Sequence, residues 1–128
     1  ALPHIAARQG SVILIASISA VRGNAFINAY ALAKAGVAQL ARNIAVQWGP
    51  KGVRANAISP GLVRTSLIAN LPQDEAFLNA RMQMTPLRRM GEVAEIAGAA
   101  VFLASPAGGF VNGHNLVVDG GTVITDGS

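Results

Sequence analysis

The 128-residue sequence contains no cysteine. Disulfide bonds, thiolate metal sites and cysteine nucleophiles are therefore excluded, and a reducing cytoplasm fits this composition. Charge is also sparse, because only 12% of the residues are Asp, Glu, Lys or Arg, while 52% are hydrophobic. This balance argues against a disordered chain and favours a well-buried α/β protein. The length fits a single domain with a core of its own.

Aromatic residues make up only 5% of the sequence, and the ten basic residues are scattered along it. Proteins that bind nucleic acid usually concentrate positive charge and aromatic side chains on one surface. Sparse basic residues usually solvate a surface, and the net charge of +4 could also serve locally as a positive face near an anionic cofactor. We therefore expect no nucleic-acid partner.

Residues 96–118 carry no formal charge, which raises the question of a membrane span. Pro106, Gly113 and Asn115 are among the residues that interrupt this stretch, so the pattern is that of a short helix, a turn and a strand. Residues 1–10 lack the apolar core of a signal peptide. These features predict a cytoplasmic protein with no membrane partner.

The order of the predicted elements is typical of an open α/β sheet. Short apolar, β-branched runs predict buried strands, and longer periodic stretches predict helices. Strand, helix, strand, helices and strand in this order favour parallel strands joined by right-handed crossovers. The predicted helices cover residues 2–9, 28–48, 67–84 (broken by Pro72) and 92–104, and the predicted strands cover residues 11–16, 52–58 and 115–118.

The helix predicted over residues 28–48 is rich in alanine and glycine. Small side chains let a helix approach its neighbour closely, so we expect tight packing along much of its length. Gly49-Pro50 is a typical end for it. The residues that fall near one side are Leu32, Gly36, Leu40, Ile44 and Val46.

Tyr30 and Lys34 lie four residues apart on this helix and so share a face. A phenol alone is a poor base at neutral pH, and a nearby ammonium group stabilises the phenolate. Ser17 follows the first predicted strand, at the end where open α/β sheets bind ligands. Its hydroxyl could donate to a substrate carbonyl and stabilise developing charge there.

Each of these signals has an ordinary alternative. Tyr-x-x-x-Lys occurs by chance in many helices as a solvated surface pair. Ser17 could be a turn serine like its neighbour Ser19, and Pro60-Gly61 could be only a turn. His4 and His114 stand apart from any other plausible metal ligand, so we assign no metal site.

Several blocks in order make the sequence resemble the short-chain dehydrogenase/reductase family. Together they cover nearly the whole chain, which is far more specific than any one of them. The blocks are GSVILIAS at residues 10–17, NAYALAKAG at 28–36, KGVRANAISPGLVRT at 51–65, PLRRMGE at 86–92, VFLAS at 101–105 and VVDGG at 117–121.

The resemblance implies a catalytic group of Ser17, Tyr30 and Lys34. Tyr30 would be the general acid/base that exchanges a proton with the substrate oxygen. Lys34 would favour the phenolate and bind the nicotinamide ribose, and Ser17 would polarise the carbonyl. Tyr30 and Lys34 would thus also contact the cofactor, NAD or NADP.

The resemblance also implies a cofactor contact after the second predicted strand. The backbone at Val63 would meet the nicotinamide carboxamide, and the Thr65 hydroxyl would approach the phosphates. Gly61, after Pro60, has no side chain, so the backbone there can approach a flat ring closely. Asn56 and Asp119 are interpreted as structural, with Asp119 in a turn after the last strand.

The expected substrate is a small-molecule alcohol or ketone, with Phe26 and Ile27 forming an apolar wall of its pocket. The sequence lacks the family's glycine-rich phosphate loop, so we expect residues 1–128 to be one partial domain. That domain would be the C-terminal half of a doubly wound parallel sheet, a Rossmann-like fold, without the N-terminal dinucleotide-binding half. In the complete protein we expect a homo-oligomer, a dimer or tetramer. The alternative is an inactive fragment that serves as an oligomerisation or binding module.

Overall fold

The structure is a computed structural model that describes residues 1–69 and 75–126. Helices and strands alternate along the chain as the sequence predicts. Short 3₁₀ turns lie at Ile18–Ala20, Gly49–Lys51 and Pro106–Gly108. The helices are α1 (Leu2–Ala6), α2 (Asn28–Trp48), α3 (Ser66–Ala69), α4 (Glu75–Gln83) and α5 (Val93–Ala104), and the strands are β1 (Ser11–Ile15), β2 (Arg54–Pro60) and β3 (Asn115–Val118).

The described strands form one sheet in the order β1-β2-β3, and both pairings are parallel. Val12 of β1 lies opposite Ala55 of β2, and Ile58 of β2 lies opposite Leu116 of β3. Parallel neighbours need a crossover connection, which α2 supplies between β1 and β2. The expected α/β, Rossmann-like fold is confirmed.

Helix α2 covers one face of β1 and β2. Its buried side chains are small, apart from Ile44, and they contact the alternate strand residues that point towards the helix. Alanine lets the helix axis approach the sheet closely, and burial of Ile44 contributes about 1.5–3 kcal/mol. The core members are Ala38, Ala41, Ile44 and Ala45 from α2 and Val12, Leu14, Ala55 and Ala57 from the strands.

The buried side of α2 is formed by alanines together with Ile44. Ile44 is buried, but Leu32, Leu40 and Val46 are exposed, because the alanines face the sheet in their place. Leu32, Gly36 and Leu40 instead follow one another at four-residue intervals along the outer side of the helix. The expectation of close packing by small residues is confirmed, while the larger residues named from the sequence divide into buried Ile44 and exposed Leu32, Leu40 and Val46.

Helix α5 packs against all three described strands. The Leu103 side chain is fully buried, and its carbonyl accepts from Ser11 Oγ at 3.3 Å and from Arg54 Nη1 at 2.7 Å. Ser11 and Arg54 alternate with the strand residues that contact α2. Side chains alternate between the two faces of a strand, so α5 covers the face opposite α2.

Two element boundaries differ from the sequence-based prediction. Strand β2 begins and ends two residues later than expected. Gly52 has a left-handed φ of 79° and Val53 N donates to Trp48 O, so the turn after α2 continues through these residues. Residues 66–69 and 75–83 are helical, as the broken pattern predicts, and Pro72 itself lies outside the described residues.

Among the described helices, none combines the length and the apolar content that a membrane crossing requires.

Candidate active site

Ser17 lies immediately beyond the carboxyl end of β1. It adopts an extended backbone and caps the 3₁₀ turn at Ile18–Ala20, because its Oγ accepts from Ser19 N at 3.1 Å. The side chain is nearly buried, with 9% of the residue exposed. Since one lone pair of the hydroxyl is used by Ser19, its hydrogen is free to donate to another acceptor.

Tyr30 and Lys34 lie on the first two turns of α2, and their side chains approach each other. The Lys34 Nζ is 5.7 Å from the centroid of the Tyr30 ring. It also donates to Ile15 O at 2.9 Å, which anchors it at the end of β1. About half of Tyr30 is exposed. The ammonium group therefore lies between the strand end and the tyrosine, with further N–H donors still available.

The chain after β2 is held against the segment that precedes α5. Val63 forms a parallel bridge with Gly91. Gly91 N donates to Leu62 O, and Arg64 N donates to Gly91 O, both at 2.9 Å. The Thr65 Oγ1 accepts from Ile68 N at 3.4 Å, at the start of α3. These bonds fix the backbone from Leu62 to Thr65 at the carboxyl end of the sheet.

One cleft of about 390 Å³ joins these parts at the carboxyl ends of β1 and β2. This is where open α/β sheets bind their ligands. Apolar side chains of Ile15, Val93 and Ile96 contribute to its lining. The predicted site residues that share it are Ser17, Tyr30, Lys34, Pro60, Gly61, Val63 and Thr65.

Gly61 has a packing role in addition to the one considered from the sequence. A Cβ added there would lie 2.8 Å from both Cα and Cβ of Asp119. The end of β2 therefore passes too close to the turn after β3 for any side chain at this position. That closeness could not be read from the sequence, because residues 61 and 119 are far apart in it.

The structure confirms the structural interpretation of Asn56 and Asp119. The Asn56 amide is fully buried, donating to Val111 O and accepting from His114 N, both at 2.9 Å. The Asp119 carboxylate accepts from the backbone N–H groups of Gly121 and Val123, each at 2.8 Å. Both side chains thus hold turns around β3.

Phe26 and Ile27 do not line the cleft. They line a separate groove of about 470 Å³ formed by the segment after Ser17 and by α4. Phe26 is 96% exposed. Two basic residues, Arg22 and Arg81, also line this groove. The sequence carries no signal for this pairing, because no spacing or motif relates residues 22 and 81.

Within residues 1–69 and 75–126, no three His, Asp or Glu side chains are placed to hold a metal ion.

The chain was compared with protein-family models and with individual proteins. The model described as enoyl-(acyl carrier protein) reductase matches residues 1–123. The cis-4-hydroxycyclohexanecarboxylate dehydrogenase of Sinomonas cyclohexanicum is 43% identical over 122 residues, which is 94% of this chain and 48% of that protein. The 5-keto-D-gluconate 5-reductase of Escherichia coli K12 is 40% identical over 122 residues, again 94% of this chain and 48% of that protein.

Solved structures were compared in the same way. A gluconate 5-dehydrogenase from Burkholderia cenocepacia, in complex with NADP and tartrate, superimposes with a TM-score of 0.90 at 38% identity. The match covers 96% of this chain and 49% of that one. The chain thus spans about half the length of the proteins it matches.

Proposed function

This chain belongs to the short-chain dehydrogenase/reductase family, and from that premise we propose that the complete protein is an NAD(P)-dependent oxidoreductase. It transfers a hydride between NAD or NADP and a small alcohol or ketone. Residues 1–128 are the catalytic part of one Rossmann-like domain. The observation that carries the proposal is the shared cleft, which joins Ser17, Tyr30 and Lys34 to the backbone that follows β2.

The cleft fits the nicotinamide half of the cofactor. Its apolar side chains suit the flat ring, and the backbone from Leu62 to Val63 offers polar groups beside it. Lys34 would bind a ribose hydroxyl, since its bond to Ile15 O leaves other N–H donors. Thr65 would approach the phosphates, and Gly61 permits the close backbone approach. When bound, the nicotinamide supplies or accepts the hydride.

Proton transfer falls to Tyr30. In the oxidation of an alcohol, the O–H proton passes to the Tyr30 oxygen as the carbonyl forms, and reduction reverses this transfer. The Lys34 ammonium, 5.7 Å from the ring centroid, stabilises the phenolate electrostatically. Ser17 donates its hydroxyl hydrogen to the substrate oxygen, since its own lone pair is engaged by Ser19 N.

Substitution of Tyr30 in the complete protein tests this proposal. Removal of the proton-transfer group in Tyr30→Phe should lower kcat by about 10²–10⁴-fold. Loss of the donor in Ser17→Ala should lower it by about 10²–10³-fold. Ser105→Ala, beyond the end of α5 and outside the cleft, is the matched serine control. Formation of reduced nicotinamide is followed by its absorbance, and full turnover by Tyr30→Phe would refute the assignment.

The second candidate is a catalytically inactive module that mediates oligomerisation or binding. Exposed apolar side chains on α2 favour it, among them Leu32, Leu40 and Val46. Cofactor titration separates the two functions. We expect weak cofactor binding and negligible turnover from the 128-residue chain alone, and robust turnover from the complete protein. If the complete protein is also inactive on alcohols and ketones, the module is favoured.

A further inference from the structure

Arg22 and Arg81 form an unusual pair in the groove beside the cleft. Arg22 follows the 3₁₀ turn that Ser17 caps, and Arg81 lies near the end of α4. The Arg22 Nε is buried, and no described residue accepts a hydrogen bond from it. Burial, together with the positive charge of Arg22, lowers the pKa of the Arg81 guanidinium. Two like charges are therefore close to each other and partly removed from water.

Two other arginines of the chain have a carboxylate partner. Exposed Arg64 pairs with Glu92 at 3.1 Å, and exposed Arg89 pairs with Glu95 at 2.6 Å. Among the described residues, no carboxylate pairs with Arg22 or Arg81. Burying a cation without a counter-charge costs free energy. An anionic ligand bound between Arg22 and Arg81 would supply the missing counter-charge.

The groove is also held in shape by the protein itself. The Asn24 Nδ2 donates to Arg22 O at 3.0 Å and to Ser19 O at 3.4 Å, which fixes the segment that carries Arg22. The Thr85 Oγ1 donates to Arg81 O at 3.0 Å, which fixes the end of α4. Backbone held in this way fixes the positions from which both arginine side chains extend before a ligand binds, which reduces the entropic cost of binding.

We propose that Arg22 and Arg81 form an anion-binding subsite that holds a carboxylate or phosphate group of the substrate beside the catalytic cleft. This inference rests on the proposed oxidoreductase function and narrows its substrate class to anionic alcohols and ketones. The planar guanidinium group suits either anion, because it donates two parallel hydrogen bonds. Ser19 lines the groove and bonds to Ser17, and Ile27 lines it three residues before Tyr30.

Matched probes distinguish charge recognition from recognition of the carbon chain. D-Gluconate has a carboxylate where D-glucitol has a hydroxymethyl group, and the two are otherwise the same. D-Glucitol 6-phosphate is D-glucitol with a phosphate ester added. Binding to the complete protein is measured by titration calorimetry with saturating NADH or NADPH, because a reduced cofactor cannot accept a hydride from these alcohols. We expect one of the two anions to bind about 10- to 100-fold more tightly than D-glucitol. The tighter of the two identifies the carboxylate or the phosphate as the natural group.

Variants then assign the preference to the arginines. In Arg22→Gln and Arg81→Gln, the affinity for the preferred anion should fall by about 10- to 100-fold, while that for D-glucitol is unchanged. Arg8→Gln, at an exposed arginine outside the groove, should leave both affinities unchanged. The ligand-free variants should unfold at temperatures no lower than that of the wild type, because each substitution relieves repulsion between two partly buried charges.

Several results would overturn the inference. If the wild type bound the anions and D-glucitol with equal affinity, the inference would be refuted. It would also be refuted if Arg22→Gln and Arg81→Gln lost affinity equally for charged and neutral ligands. A lower unfolding temperature would show that the arginines stabilise the fold instead. Failure of the proposed oxidoreductase function would be seen in a different measurement. Turnover that depends on Tyr30 would then be absent, while the preferred anion would still bind more tightly than D-glucitol through Arg22 and Arg81.

Discussion

Gly61 lies where the end of β2 comes closest to the turn after β3. An added Cβ would be 2.8 Å from Asp119 Cα, which is backbone and cannot rotate away. We therefore expect Gly61→Ala to destabilise the complete protein by about 1–3 kcal/mol, as overpacking does elsewhere. Urea denaturation measures this loss.

Gly98→Ala is the matched control for Gly61→Ala. Its added methyl group meets nothing within 4 Å, and alanine is favoured over glycine inside a helix. This variant should be as stable as the wild type or more so. Equal stability of Gly61→Ala and wild type would show that β2 and the turn after β3 are farther apart than the structure has them.

At the scale of single residues, the sequence supported the polar members of the site better than the apolar ones. Ser17, Tyr30 and Lys34 could be connected through the family resemblance, and the fold brings them to one cleft. Phe26 and Ile27 were placed by their nearness to Tyr30 in sequence, but they line the other groove. Side-chain direction at a helix entry depends on the local backbone, which short sequence separation does not specify.

The start of α5 depends on a small network of charged groups around Glu95. The Glu95 carboxylate accepts from Glu92 N at 2.8 Å and binds both terminal nitrogens of Arg89. The hydrogen bond from Arg89, and next that from Glu92 N, lower the pKa of Glu95 to about 2. This network also holds the segment around Gly91 that supports the backbone beside the cleft.

The lowered pKa predicts how the contribution of Glu95 varies with pH. A carboxylate with a depressed pKa in the folded state stabilises the fold fully above its unfolded value of about 4.5, and this contribution is lost as pH falls towards about 2. Glu95→Gln should therefore be less stable than the wild type at neutral pH, and the difference should vanish near pH 2. Urea midpoints at a series of pH values measure it.

A variant in α4 tests whether the loss of stability in Glu95→Gln comes from the contacts of Glu95 with Arg89 and Glu92. Glu75→Gln removes an exposed carboxylate in the first turn of α4. No described arginine or lysine pairs with Glu75, so this variant is the reference against which the loss of the Glu95 network is compared. A pH-independent difference for Glu95→Gln would instead assign the role of Glu95 to packing alone.

At the scale of elements, boundaries set by local signals were predicted well. Helix α2 spans the expected residues, since Gly49-Pro50 marks its end. The boundaries of β2 were displaced because they depend on a partner strand. Pro60 pairs with Val118, and Gly61 N donates to Val118 O at 2.9 Å, so pairing continues into residues that locally favour a turn.

At the scale of the whole molecule, the order of elements was sufficient to predict the parallel sheet, because parallel neighbours require crossover connections. The Arg22–Arg81 pair was not predictable in this way. The two residues are brought together by the packing of α4 beside the segment after Ser17. A contact between distant segments with no motif of its own is visible only once the fold is known.

The outer side of α2 bears on the assembly proposed for the complete protein. Leu32 and Leu40 are exposed there, on either side of Gly36, whose added Cβ would meet nothing within 4 Å. If a second copy covers this side in a homo-oligomer, a charged side chain at residue 36 would be buried without a partner. Gly36→Glu should therefore dissociate the oligomer, as measured by light scattering coupled to size-exclusion chromatography.

The same substitution should be harmless to a single chain, since glutamate is a better helix former than glycine and has room at this position. Far-ultraviolet circular dichroism should therefore be unchanged, which separates dissociation from unfolding. Asn79→Glu adds the same charge on the exposed side of α4 and should leave the oligomer intact. An oligomer that survives Gly36→Glu would place its interface on another surface, and a monomeric wild type would refute the proposed assembly.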